Sequence, residues 1–447
     1  MPPQTPASIS RRRFLTSSAA AALAFPFVSR LGAASANGML NHASFGASGM
    51  AGADLGSITA TKLVNLVAVA EIDESKALEL RKNFPNTKVY RDWRELLDKE
   101  AKNIESVNVS TPDHMHAPIA LAAIQLGKHV YGQKPLTQNV WEARQVTLAA
   151  RKAGIVTQMG IQIHSHTAYR TAVQLIHDQA IGKVKEVHTW SSKKWGDPTP
   201  LPTTSDPIPA GFDWNLWLGV AADRPFIGKG YYHPGNWRKR LDFGTGTFGD
   251  MGCHIYDPVF KALNLTAPLS LRSEGEQPTA TNWGINAVIH YVFPGNELTA
   301  DKTVKVTWYD GDMRPPGSVL EGLGPDIKLP DQGSIFLGTK GAMLLPHIGM
   351  PVLLPKANFM EFAMPKLAQV DHYRQFVEAC RGNGKTSAHF DYAGALTETI
   401  LLGGVATRFP KTTLEWDAAK MTFKNLNEAN PFLRRASYRK GWEPKWV

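Results

Sequence analysis

In the first third of the chain, short apolar runs alternate with stretches in which apolar residues recur every three or four positions. The runs 39–44, 63–70, 106–109, 128–131 and 155–159, with a shorter one at 89–90, predict strands. The stretches 74–83, 93–99, 117–126 and 140–153 predict helices, and a helix-like stretch follows the glycine-rich segment 45–52. Among the strands the run 63–70 is the clearest, apolar and β-branched. Strand and helix in regular alternation predict an α/β fold with a doubly wound parallel sheet.

Past residue 160 the pattern changes. A helix carrying Tyr169-Arg170 runs to about residue 178. Strands are then predicted at 184–191, 286–293, 303–309, 334–338 and 343–345, with no helices between them. That pattern predicts a second α/β domain built on an open mixed or antiparallel sheet, closed by helices at 370–381 and 393–408. The connection 192–247 is rich in Pro, Gly, Trp and Tyr, and loops of that length usually carry function. The expected organisation is 37–160 for the first domain, 161–423 for the second, and a basic aromatic tail over 424–447.

The N-terminus departs from all of this. Ser10-Arg11-Arg12-Arg13-Phe14-Leu15 precedes a small apolar run over 17–28, and Ala34-Ser35-Ala36 offers a cleavage site. Residues 1–36 are therefore expected to be a twin-arginine export signal, delivering a periplasmic protein with no membrane anchor after cleavage. The formal net charge is +10, and Arg11, Arg12, Arg13 and Arg30 carry four of those charges, leaving +6 beyond residue 36. That excess gathers in the tail, with no nucleic-acid-reading module beside it, so nucleic acid is not an expected partner. Two cysteines, Cys253 and Cys380, rule out a disulfide framework or a zinc ribbon.

Candidate chemistry sits at strand ends. Gly46-x-Ser48-Gly49-Met50-x-Gly52 follows the first strand, and such a turn lets helix N–H groups face a pyrophosphate. Ser48 stands where the standard fingerprint has its second glycine. Glu71 and Asp73 end the next strand, about 20 residues on, where a carboxylate accepts hydrogen bonds from an adenosine ribose and repels a 2′-phosphate. NAD is thus favoured over NADP, with Asp73 alternatively a helix cap. Ser110-Thr111-Pro112 stops a later strand at the edge that would face a nicotinamide. Lys134 precedes Pro135 at another strand end and is suited to stabilising a developing alkoxide. Asp250 and His254 lie four residues apart, on one face of any helix they share, with His254 suited to accepting a hydroxyl proton. Trp190, Trp195, Trp214, Trp217, Tyr231, Tyr232 and Trp237 offer either platforms for sugar rings or interface packing, and Arg238 follows them. The 14 histidines show no metal-ligand spacing, and no metal is expected.

These residues bring a family into view. Gly46–Gly52, Thr111-Pro112-Asp113-x-x-His116, Gly127-Lys128-His129-Val130-x-x-Gln133-Lys134-Pro135-Leu136 and Asp250-x-x-x-His254-x-x-Asp257 together resemble the Gfo/Idh/MocA oxidoreductases. The resemblance implies an N-terminal Rossmann domain holding NAD(P), a C-terminal α/β domain, and a substrate between them. It places the reacting groups on Lys134, Asp250 and His254. Nucleotide contacts are expected from Gly46, Ser48, Gly49, Met50, Glu71, Asp73, Ser110, Thr111, Pro112, His116, Gln133, Lys134 and Gln162. Substrate contacts are expected from Lys134, Tyr169, Arg170, Trp237, Arg238, Asp250 and His254. One departure is that Gln133 replaces the glutamate usual before the lysine. The expected activity is hydride transfer between a sugar or polyol hydroxyl carbon and a tightly held NAD. The alternative is an NAD-dependent glycoside hydrolase working by transient oxidation, elimination and re-reduction. A homo-oligomer, dimer or tetramer, is expected.

Overall fold

The computed structural model describes residues 38–324 and 327–446, so the expected export segment lies outside the described residues. The first domain forms β1 (Leu40–Phe45), α1 (Met50–Ala60), β2 (Val64–Ala70), α2 (Glu74–Asn83), β3 (Lys88–Tyr90), α3 (Trp93–Glu100), β4 (Ser106–Val109), α4 (His116–Gln125), β5 (His129–Gln133), α5 (Val140–Ala153) and β6 (Thr157–Gly160). Side chains set several of these boundaries. Asp73, Asp92 and Asn139 each accept a backbone N–H in the first turn of α2, α3 and α5, a cap worth about 1 kcal/mol. Gly154 ends α5 in the left-handed conformation, φ 63°.

The six strands are all parallel in the order β3-β2-β1-β4-β5-β6. Chain direction across the sheet reverses between β1 and β4, which opens a crevice outside their C-terminal ends. The glycine turn, Ser110–Pro112 and Lys134 all leave strands on that edge.

The second domain holds α6 (Thr167–His177), β7 (Val184–Ser191), α7 (Trp214–Leu218), α8 (Gly246–Ile255), α9 (Asp257–Ala262), β8 (Ser270–Glu274), β9 (Val288–Pro294), β10 (Thr303–Asp310), β11 (Gln332–Gly338), β12 (Ala342–Pro346), β13 (Val352–Leu354), α10 (His372–Cys380), α11 (Phe390–Ala406), β14 (Thr413–Asp417) and β15 (Thr422–Phe423). Its nine strands run β13-β12-β11-β7-β10-β9-β8-β14-β15. β7 and β10 pair in parallel and their outer neighbours pair antiparallel, giving the mixed sheet expected. One face carries Trp308, Tyr291 and Phe336 against Phe248 and Tyr256 from the helices, with Phe248 and Trp308 rings 4.7 Å apart. On the other face Trp190, Tyr309 and Ile335 pack under the chain's own Val319, Leu320 and Leu323.

Two segments return to the first sheet. Phe376 and Val377 of α10 pack with Leu40, Ile58 and Tyr131. In the tail, Tyr438 donates to Glu142 of α5 at 2.8 Å and Trp442 lies under Arg94 at 4.0 Å. The long connection builds its own small core from Phe212, Trp214, Trp217, Tyr232, Trp237 and Phe243. It is tied to the first domain by Glu74 N–H to Gly211 O (3.0 Å) and His114 N–H to Phe243 O (3.2 Å). No helix among the described residues is long and apolar enough to cross a membrane.

Candidate active site

β1 ends in a turn that only small residues permit. A Cβ on Gly46, at φ +102°, would come within 2.9 Å of both Ser110 O and Ala51 Cβ. Gly49, at φ +56°, has open space where a Cβ would stand and caps α1 without any side-chain bond. The first N–H groups of α1 therefore face a crevice rimmed by exposed Ser48, Gly49 and Met50. A bare helix N-terminus of this kind suits a phosphate. Glu71 fastens the turn from β2, its carboxylate accepting Ala47 N–H at 2.9 Å and Asp73 N–H at 3.1 Å. Burial pushes that carboxyl upward, the two N–H bonds opposing. Asp73 is the α2 cap and also takes the Ser75 hydroxyl at 2.6 Å. Each carboxylate retains lone pairs for a ribose hydroxyl.

Beside this turn, Asp54 of α1 is fully buried and gathers three donors from three elements. Ser110 Oγ donates at 2.7 Å, Gln133 Nε2 at 2.9 Å and Tyr373 Oη at 2.9 Å. Gln133 Oε1 in turn accepts Lys134 N–H at 3.1 Å. Gln162 donates to Tyr373 Oη at 2.9 Å. His116 joins the two strand-end turns, bonding Thr111 O and Pro135 O at 2.7 Å each. Thr111 Oγ1 is buried with no partner among the described residues.

The second domain brings α8 to the same edge. Lys134 Nζ lies 2.7 Å from Asp250 Oδ1 and 3.0 Å from Asp250 O. Arg238 Nε reaches the same carboxylate oxygen at 3.2 Å. Burial pushes the Asp250 carboxyl up, but Lys134 and Arg238 outweigh it and hold the group well below the usual carboxylate range. His254 is kept neutral by burial and then by the Lys134 charge, which drive it well below 6.5. Its Nδ1 is buried and unpartnered among the described residues. Asp250 does not orient it, because its bonds are to Lys134 and Arg238. His347 stands with its ring centroid 5.9 Å from that of His254, and Tyr169 Oη bonds its Nδ1 at 2.6 Å.

The expected residues thus fall into two groups. Lys134, Asp250, Arg238 and His254 come together, and Tyr169 joins them through His347. The Trp237 indole is 7% exposed in the core of the connection and supports Arg238, whose guanidinium lies 4.3 Å over it. Arg170 bonds Ala368 O. Asp257 holds His164 at 2.9 Å and accepts from Tyr392, beneath the pocket. Sequence reasoning missed Asp54, Tyr373 and His347. Each lies far along the chain from its partners, and none sits in a periodic or motif-like context. The two cysteines are buried and unpaired, and no metal-binding cluster exists among the described residues.

Comparison with known proteins bears on the fold and the family. Residues 40–161 match a family model described as an oxidoreductase family with an NAD-binding Rossmann fold, and 181–299 match the C-terminal alpha/beta domain of the same family. The chain is 25% identical over 189 residues to levoglucosan dehydrogenase of Pseudarthrobacter phenanthrenivorans, covering 42% of this chain and 40% of that protein. It is also 25% identical over 189 residues to scyllo-inositol 2-dehydrogenase (NADP(+)) of Bacillus subtilis, covering 42% of each. The match thus spans about two fifths of either relative. The WlbA dehydrogenase of Bordetella pertussis, solved with NADH and UDP-GlcNAcA, shares the fold: TM-score 0.62, 12% identity, 85% of this chain and 99% of that one. With consecutive matches to both domain models of one family, over 40–161 and 181–299, the chain belongs to the Gfo/Idh/MocA oxidoreductase family.

Proposed function

We propose that this protein is an NAD-dependent oxidoreductase acting on a sugar or polyol hydroxyl. The observation that carries the proposal is the ion pair of Lys134 with Asp250, set one helical turn from a neutral His254. The pair lies on the sheet edge where the bare N-terminus of α1 opens. Two relatives named as dehydrogenases of levoglucosan and of scyllo-inositol support a polyhydroxylated substrate. The Glu71 carboxylate at the end of β2 favours NAD, since it would repel a 2′-phosphate.

The nucleotide would lie along Gly46–Met50 and Glu71, with Thr111 Oγ1 free to bond it, and its nicotinamide would supply a hydride acceptor. The chain's own residues do the rest. Lys134 donates to the reacting oxygen and stabilises negative charge as it develops. Asp250, held ionised, accepts a bond from a neighbouring hydroxyl. His254, held neutral, takes the hydroxyl proton. The connection 192–247 is anchored to β2, α2 and the turn before α4, and we read it as a cover that retains the nucleotide.

Residues 1–36 make the protein an export substrate of the twin-arginine route and place it in the periplasm. Replacing Arg11, Arg12 and Arg13 with lysine would then leave the protein in the cytoplasmic fraction. A dimer or tetramer is the proposed assembly, readable by light scattering.

Function is tested by denaturing the purified protein and identifying released nucleotide by mass spectrometry, then offering polyols, aldoses and aryl glycosides. The proposal expects released NAD(H), and nicotinamide reduction by a polyol or aldose that Lys134→Met abolishes. Release of aglycone with no net reduction would overturn it in favour of hydrolysis.

A further inference from the structure

The pair formed by Tyr169 and His347 stands beside His254 and has no part in the chemistry given above. His347 begins the turn between β12 and β13, on the second sheet rather than on α8. Tyr169, from α6, is 2% exposed and bonds His347 Nδ1 at 2.6 Å, which commits one ring nitrogen and fixes the ring. Nε2 is the nitrogen left over. The His347 and His254 rings are tilted 32° to one another with centroids 5.9 Å apart.

His254 presents the complementary need. A histidine that accepts a proton in catalysis is usually backed by a carboxylate that stabilises its charged form. Here the carboxylate one turn away is bonded to Lys134 and Arg238, and His254 Nδ1 is buried with no partner among the described residues. The groups facing the two imidazoles are Lys134 from the turn after β5, Asp250 from α8, His372 from α10 and Tyr169 from α6. Lys134 opposes a positive charge on either ring. Burial and the Lys134 charge thus disfavour a proton left on His254, and His347, partly buried like His254 itself, is the imidazole that stands beside it.

We propose that His347, positioned by Tyr169, is a second proton-handling residue of this site and holds the proton that His254 removes until product leaves. The inference rests on the hydroxyl oxidation proposed above. The substrate O–H bond breaks as an N–H bond forms at His254. The His254 Nδ1–H bond then breaks as one forms at His347 Nε2, directly or across one water, and after product leaves the proton returns by the same path through His254 to water, which restores both rings to their starting tautomers. The electron pair of the substrate C–H bond leaves as hydride to the nicotinamide nucleotide, so no further oxidant is needed.

The test uses the full chain and the variants His347→Ala, His347→Gln and Tyr169→Phe. Loss of this transfer should lower kcat by about tenfold to a hundredfold, within the range for one proton-transfer group, with nucleotide affinity unchanged. Added imidazole should restore His347→Ala, and a solvent deuterium isotope effect should appear in it. In nucleotide-free protein, the NMR titration of His254 should move in both His347 variants, and that of His347 should move in Tyr169→Phe. If His347→Ala does not fold, His347→Gln carries the kinetic and titration arms. Unchanged pH profiles, no rescue by imidazole, or a His254 titration indifferent to His347 would each overturn the proposal. A wild-type protein that binds no nicotinamide nucleotide would instead defeat the underlying functional reading, and the imidazole titrations would still decide whether the two rings are linked.

Discussion

Gln133→Glu should be poorly tolerated although the two side chains are nearly isosteric. Gln133 Nε2 donates to both oxygens of Asp54, at 2.9 and 3.1 Å, and both side chains are buried. Burial already pushes the Asp54 carboxyl up, while Ser110, Gln133 and Tyr373 pull it down by donating. A glutamate at 133 would replace one of these donors with a second carboxylate about 3 Å away, a repulsion of roughly 5 kcal/mol at an effective dielectric of about 20. The pair escapes by keeping one proton. For a carboxyl of ordinary pKa about 4.3, that costs about 5 kcal/mol at pH 8 and about 1 kcal/mol at pH 5. The shared proton raises a folded-state pKa above its unfolded value. The penalty is therefore absent below the unfolded carboxyl range and grows as pH rises through it. Urea unfolding followed by tryptophan fluorescence should show Gln133→Glu losing about 3–5 kcal/mol at pH 8 and about 1 kcal/mol at pH 5. The double variant Asp54→Asn/Gln133→Glu restores one donor facing one acceptor and should recover most of the loss. An unfolding midpoint equal to wild type at pH 8, or a double variant no better than the single one, would refute this reasoning.

Other perturbations bear on the pocket itself. Lys134→Met leaves Asp250 with only Arg238 at 3.2 Å and should cut polyol oxidation by about 10²–10⁴ while the protein remains folded by circular dichroism. His254 must be neutral to accept a proton, and burial and Lys134 lower its basicity, so the acid limb of kcat/KM should fall below pH 6.5. A limb at pH 7 or above would contradict that assignment. Gly46→Ala brings a Cβ within 2.9 Å of Ser110 O at a strained φ, and nucleotide affinity measured by calorimetry should fall by about tenfold or more.

The first domain was largely legible because its physics is local. The alternation of strand-like and helix-like segments was readable locally, and Asp73, an alternative helix cap in the sequence, does cap α2. The pairing of Lys134 with Asp250 was legible only as two motifs, since 116 positions of chain separate them. β8 and β14 were not recognised: SLRSE and TLEWD are short, half-polar segments toward the edge of the sheet. The aromatic residues at 212–243 read equally as a sugar platform or as packing. Most are in fact a core, because a long loop with so many rings is stable only when it buries them against each other. Asp54, Tyr373 and His347 left no local trace, because their roles arise from elements that meet only in the folded chain. Asp54 also accounts for the glutamine: its buried carboxylate stands on α1, and position 133 supplies one of its donors.

The central claim is most directly tested by a crystal structure of the protein grown with NAD+. The account predicts a dinucleotide with its phosphates at the N-terminus of α1, between Gly46 and Met50, and its nicotinamide ring beside Lys134 Nζ and the His254 imidazole. A nucleotide bound elsewhere, or a ring turned away from those two side chains, would contradict it.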